Sequence, residues 1–322
     1  MKLQFIGANR QVTGSRYFLQ AGGLRLLIDC GLFQERAFLG RNWDASPVPP
    51  DQIDFLLLTH AHLDHSGLIP KLVGEGYSRP ILTTAASAEL ARIVLLDSAR
   101  IQEEDAAFKK KRHEREGRRA THPEIPLYTV ADAEAALPLL EEVPYDEPVP
   151  LNDHVTVRYH DAGHILGSAM LELTVNENGQ RSGRRLLFSG DIGQWNKPII
   201  RDPSVFEGAD YVVMESTYGD RNHEAHGDVD ALLCDIVNGT VAAGGNIVIP
   251  TFAIERAQEL MFHLSRLLKE NRIPHLRIFL DSPMAVNVTE VFQRHPECLD
   301  EETLQLLKAD ESPFNFPGLK LV

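Results

Sequence analysis

The sequence predicts an α/β protein of two domains, and three observations carry that prediction. Its 322 residues exceed what one ordinary core serves, and a 43% apolar content is enough to bury two. Through the first two thirds, short apolar or alternating runs bounded by glycine and proline read as strands, with a few helical stretches between them. From about residue 221 helix and strand alternate regularly, which predicts β-α-β organisation and a parallel sheet.

Strands are expected at 2–6, 16–20, 24–29, 53–59, 154–160, 168–175, 184–189 and 210–215. Helices are expected at 66–73, 86–115 and 131–140. The long one carries apolar positions Leu90, Ile93, Val94, Ile101 and Phe108; the third has Thr129 and Asp132 as caps and runs into the proline-rich stretch Pro138 to Pro150. Beyond 221, a helix at 228–242 stopped by Gly244-Gly245 leads to a strand at Asn246 to Ile249. A helix at 254–271, a strand at Leu276 to Leu280 and a helix near 284–294 follow. There is no internal repeat and no low-complexity segment.

Composition narrows the class. Three cysteines, Cys30, Cys234 and Cys298, are odd in number and lack C-x-x-C spacing, which argues for reduced thiols and a cytoplasmic location. The N-terminal strand meets Gly7 too soon to be a signal segment, and no apolar run approaches a membrane span, so a soluble protein is expected. A formal net charge of −14 counts against a nucleic-acid partner, because phosphate binding uses clustered Lys and Arg. A whole-chain sum says little about a cleft, however, and metal ions supply positive charge locally. The basic run Lys109 to Arg119 is interrupted by Glu114 and Glu116 and reads either as a solvated helix end or as an RNA contact.

The chemistry concentrates at His60, His62, Asp64 and His65, an H-x-H-x-D-H cluster directly after the apolar run Ile53 to Thr59. Two imidazoles two residues apart in a loop can point at one ion, while Asp64 and His65 turn toward a second; neutral imidazoles and carboxylates suit zinc. Two ions about 3.5–4 Å apart can share a bridging hydroxide and stabilise both oxygens of a displacement, which is hydrolytic chemistry. The competing reading is a polar loop capping the next helix. Two later segments offer further ligands: His164 in a glycine-flanked turn, able to complete a three-histidine site, and Asp191 after the strand Leu186 to Phe188, able to bridge both ions. Alone, each reads as ordinary loop or turn chemistry; their order after the first cluster is what raises them.

With Asp29 in Leu27-Ile28-Asp29-Cys30-Gly31, the His60 to His65 cluster, His164 and Asp191, the chain resembles the metallo-β-lactamase superfamily over residues 1 to about 220. The resemblance implies an αββα sandwich over 1–220. It assigns His60, His62 and His164 to one zinc and Asp64, His65 and Asp191 to a second, with Asp191 bridging. It makes Asp29 an orienting partner of the metal loop, against the alternative of a strand-end turn residue. The segment Tyr211 to Asp220, ending a short strand at Glu215, resembles the first motif of the β-CASP nuclease branch. Ile249 to Leu260 and Asp281-Ser282-Pro283-Met284-Ala285 resemble further segments of that branch, which includes ribonuclease J, the pre-mRNA 3′-end processing endonuclease and Artemis. A partial β-CASP α/β domain with a parallel sheet is thus expected over 221–322.

The activity this implies is zinc-dependent cleavage of single-stranded RNA, endo- or exonucleolytic, through a hydroxide bridging the two ions, with Asp64 and Glu215 as catalytic residues. Glu215, with a histidine from later in the chain, would protonate the leaving oxygen or position that histidine. Thr251 and Arg256 stand where a helix N-terminus could meet an RNA phosphate, or belong to a solvated helix face. The alternatives are a thioester or lactone hydrolase using the same metals, and an inactive scaffold subunit of an RNA-processing complex. The branch has two further histidine motifs beyond residue 322, one supplying the second zinc's last ligand. The chain is therefore expected to be a fragment or a variant with an incomplete site. Oligomeric state is not readable.

Overall fold

The computed structural model describes residues 1–117, 124–176, 183–222 and 227–322; His122, His223, His226 and the last two arginines of the basic run lie outside them. The chain forms two compact units. The first comprises Met1–Ala162, Gly167–Ile192 and Ser204–Glu215, and the second Gly163–Leu166, Gly193–Pro203 and Ser216–Val322.

In the first unit, β1 (Lys2–Phe5), β2 (Tyr17–Ala21), β3 (Leu24–Ile28), β4 (Phe55–Leu57), β5 (Ile81–Thr84) and β6 (Leu140–Val143) make one sheet in that order. Its first two pairings are antiparallel and the rest parallel. Gly22 and Gly23 join β2 to β3 at φ 53° and 80°, the positive values that a two-residue hairpin of matching twist demands. A second sheet has the order β11 (Tyr211–Val213), β10 (Arg184–Phe188), β9 (Ala169–Val175), β8 (Val155–Asp161), β7 (Val149–Pro150).

The two sheets face each other across one core. Alternation in β8 buries Val155, Val157 and Tyr159 completely while the residues between them stay partly exposed. These meet Leu171, Leu173 and Phe188 from their own sheet and Leu19, Leu26, Ile28, Leu57 and Leu82 from the other. Of the four helices α1 (Leu63–Ser66), α2 (Ile69–Gly74), α3 (Ala85–Glu116) and α4 (Val130–Ala136), α3 packs on β5 and β6 and on α4, which packs on α2. The opposite surface of the second sheet is covered by Ile192, Phe206 and Ala209 over Met170 and Leu187.

Local signals explain most of these boundaries. Thr84 caps α3 by accepting from the Ser87 amide, and Gly117 closes it at φ 61°. Its basic end, Lys109 to Lys111, is solvent-exposed, which both readings of the run require. Thr129 and Asp132 form a reciprocal capping box on α4. The helix expected at 131–140 gives way at Leu137–Leu139 and becomes β6, because Pro138 donates no amide hydrogen. The helix expected at 66–73 is two short ones for the same reason: Pro70 has no hydrogen to give the Ser66 carbonyl of a continuous helix.

The second unit contains α5 (Val229–Ala242), α6 (Arg256–Lys269), β12 (Ile278–Leu280), α7 (Pro283–Arg294), α8 (Glu301–Lys308) and β13 (Leu319–Leu321). The strands β12 and β13 pair in parallel. Asn246 to Ile249, expected as a strand, is not assigned to one and is exposed along its length. Phe262 and Leu267 of α6, and Val288, Val291 and Phe292 of α7, are buried, with Phe292 edge-on to Phe314 at 5.8 Å. Among the described residues no helix is long and apolar enough to cross a membrane.

Candidate metal centre

The loop from Thr59 to His65 leaves the end of β4 and is tied through its backbone carbonyls to the segments beside it. Ser15 donates to the Asp64 carbonyl at 2.8 Å, Cys30 to the His65 carbonyl at 2.7 Å, and Leu32 to the Leu63 carbonyl at 2.8 Å. This approach requires glycine at position 31: a Cβ there would lie 1.6 Å from the Asp64 carbonyl oxygen. His62 occupies the N-cap position of α1, yet its side chain makes no capping bond, so the capping reading of the cluster fails.

The freed side chains converge. His60 Nε2 lies 3.2 Å from His62 Nδ1 and 3.9 Å from Asp191 Oδ2. His65 Nε2 lies 3.1 Å from Asp191 Oδ1 and 4.0 Å from Asp64 Oδ2. The ligand atoms of His60, His62 and Asp191 lie within 4.8 Å of one another, as do those of Asp64, His65 and Asp191. Asp191 thus offers one oxygen to each group. A tetrahedral zinc ion with bonds of about 2.0–2.1 Å sets its ligands about 3.3 Å apart. The two shortest separations match that spacing, and imidazole nitrogens with carboxylate oxygens are the donors zinc takes, so the residues fit a divalent ion.

Asp29 organises the site from beneath. It is fully buried at φ 56°, a conformation that Asp tolerates better than most residues. Its carboxylate accepts from the Thr59 amide at 2.8 Å, the Thr59 hydroxyl at 3.0 Å, the Ser15 hydroxyl at 3.3 Å and His65 Nδ1 at 2.7 Å. With Nδ1 engaged by Asp29, His65 directs Nε2 toward Asp191. Burial alone would lower the His65 pKa; the Asp29 and Asp191 carboxylates outweigh it and raise it well above the ordinary value. The pocket therefore favours positive charge.

Asp191 is positioned from the second sheet. Gly190 turns at φ 52° against Thr59, where a Cβ would lie 2.9 Å from that residue's own. Beyond β11, Glu215 takes its amide to the Ser189 hydroxyl at 3.1 Å and accepts the Ile192 amide on Oε1 at 2.8 Å, bracketing Asp191. The first unit thus brings together His60, His62, Asp64, His65 and Asp191, with Asp29 and Glu215 supporting them. His164, half-buried on the turn between β8 and β9, belongs with the second unit, as do Thr251 and Arg256. Thr251 is exposed, and Arg256, also exposed, pairs with Glu259 at 2.9 Å. Sequence reasoning missed Thr59, Ser15 and Gly31, since a lone hydroxyl or glycine beside a strand carries no signal of its own.

Residues 10–166 match the Metallo-beta-lactamase superfamily and residues 257–322 the Beta-Casp domain. Over its whole length the chain is 37% identical to "Ribonuclease TTHA0252" of Thermus thermophilus, covering 68% of that protein. The chain belongs to the metallo-β-lactamase superfamily, in its Beta-Casp branch. This Beta-Casp protein is also 30% identical, over 98% of its length, to "Transcription termination factor FttA" of Methanosarcina mazei. It is 27% identical, again over 98% of its length, to "Cleavage and polyadenylation specificity factor 73" of Drosophila melanogaster. It spans 47% and 43% of those two relatives.

Proposed function

We propose that this Beta-Casp protein is a metal-dependent nuclease that cleaves phosphodiester bonds of single-stranded RNA with two zinc ions bound. The observation that carries the reading is the pair of potential ligand groups that the loop after β4 forms with a shared Asp191, in a chain that also matches the Beta-Casp domain. A relative 37% identical is named a ribonuclease, which supports RNA as substrate over the thioester, lactone and scaffold alternatives.

In this reading His60, His62 and His164 hold one ion, Asp64 and His65 the other, and Asp191 spans both. His164 enters because its turn joins the paired ends of β8 and β9, and Ala169, first in β9, donates to the Thr59 carbonyl beside His60 at 2.9 Å. Bound ions supply the positive charge and the activated water that phosphodiester hydrolysis needs. The chain's residues do the rest. Asp29 fixes the His65 tautomer, and Glu215 holds the Asp191 loop and handles the proton of the leaving oxygen. Thr251 and Arg256, at the start of α6, bind RNA phosphate. The metal-binding domain spans 1–220 and the Beta-Casp domain 221–322, and the protein works in the cytoplasm.

The test is cleavage of a 5′-labelled single-stranded RNA in the presence of zinc, with Asp64→Ala beside the wild type. Cleavage by wild type alone is expected; cleavage retained by a well-folded Asp64→Ala protein refutes the assignment.

A further inference from the structure

Glu255 stands out in the second unit for its backbone conformation and for the burial of its carboxyl. It precedes α6 with φ 67° and ψ −59°, and the Arg256 amide donates to the Ile254 carbonyl at 2.8 Å. That is a γ-turn of the rare, strained hand, an unfavourable conformation for a residue with a side chain. Only 6% of the residue is exposed, and its buried Oε2 has no hydrogen-bond partner. Burial pushes the carboxyl up to about 8, against the pull of Lys197 and of a hydrogen bond from the Leu166 amide. Strain and burial together are costly, and such costs persist where surrounding structure has a use for the geometry.

The Leu166 amide indicates that use. Leu166 lies two residues after His164 on the segment Gly163–Leu166, which the second unit grips at several points. Gly193 comes so close that a Cβ on it would sit 1.5 Å from the Gly163 carbonyl oxygen and 2.8 Å from the His164 nitrogen. Gly163, at φ 59°, lies against the Arg201 carbonyl and Pro203 in the same way. Glu255 adds a side-chain hydrogen bond to these contacts.

We infer that Glu255 is a positioning residue: its buried carboxyl accepts the Leu166 amide and so fixes the turn that presents His164. The inference rests on the reading of His164 as a metal ligand. It gives the strained γ-turn a purpose, since that backbone carries the side chain that accepts from Leu166. A helix start built for stability alone would place glycine at position 255.

Three variants of the full chain test it by zinc affinity in chelator competition, with thermal midpoints and kcat and KM on RNA alongside. Glu255→Gly removes the acceptor and relieves the backbone, so its midpoint should hold or rise. Its zinc affinity should fall about 10–100-fold, the usual loss when a partner that orients a ligand is removed. The drop in activity should lie in kcat more than KM. Glu255→Gln keeps a carbonyl acceptor and should restore the affinity, which a purely structural role would not predict. Wild-type affinity in Glu255→Gly together with weakened binding in His164→Ala overturns the clamp while leaving the metal reading intact. Equal weakness in Glu255→Gln and Glu255→Gly also overturns it. Wild-type affinity in His164→Ala removes the ligand role of His164 and the clamp with it.

Discussion

Replacing Asp29 by Asn alters nothing in shape and should still damage the metal centre. The carboxylate accepts four hydrogen bonds, from the Thr59 amide and hydroxyl, Ser15 and His65. An amide has one acceptor oxygen, so its NH2 must face some of these donors. If it faces the Thr59 amide, two donors oppose each other in a fully buried site, at a cost of about 1–3 kcal/mol. If it faces His65 Nδ1, the imidazole must accept there and carry its proton on Nε2, the atom that lies 3.1 Å from Asp191. The second arrangement blocks the ligand atom outright, and in either one the lost carboxylate charge makes His65 a weaker ligand. Loss of such an orienting partner lowers metal affinity about 10–100-fold, or about 1.4–2.7 kcal/mol. Zinc competition titration of Asp29→Asn beside wild type, with circular dichroism to establish folding, measures it. A folded Asp29→Asn protein with wild-type zinc affinity would refute the reasoning that this carboxylate orients His65.

Gly31→Ala should destabilise by about 3 kcal/mol or more, because its Cβ would collide with the Asp64 carbonyl; a urea midpoint within error of wild type contradicts the account. Glu255 makes stability pH-dependent. Its folded pKa of about 8 exceeds the ordinary 4.5, so the folded state holds the proton more tightly. The stability this contributes is complete below about 4.5 and is lost as pH rises through about 8, roughly 3–5 kcal/mol in all. The charged side chains acting on Glu255 are Lys197, Glu259 and Arg256. Urea midpoints at pH 5 and pH 8 should therefore differ less in Glu255→Gln than in wild type; equal slopes would contradict the assignment. Arg256→Ala should weaken single-stranded RNA binding and flatten its salt dependence by about one unit of slope, and an unchanged slope assigns Arg256 to its Glu259 pair alone.

The candidate site was legible where potential ligands crowd into one loop after an apolar strand. His60, His62, Asp64 and His65 share one loop, so their chemistry is written in six positions. Asp191 was legible because an apolar run ends just before it. The supporting contacts were not: Thr59 bonds Asp29 from thirty residues away in sequence, and no local pattern encodes that pairing. In the fold, strong alternation announced β8 and β9, whereas β5 reads only as Ile81–Thr84 after a proline and β7 is two residues long. Pro70 and Pro138 broke helices that periodicity alone would have continued. Asn246 to Ile249 has a strand's composition, yet the structure does not assign it to a strand, and pairing is a tertiary property.

The most direct measurement is zinc stoichiometry, by elemental analysis, of wild type, His62→Ala and Asp191→Ala purified without chelator. Two ions per wild-type chain, one in His62→Ala and fewer than one in Asp191→Ala would match two ligand groups joined through Asp191. Wild-type protein without zinc, or Asp191→Ala retaining both ions, would contradict a shared two-metal centre.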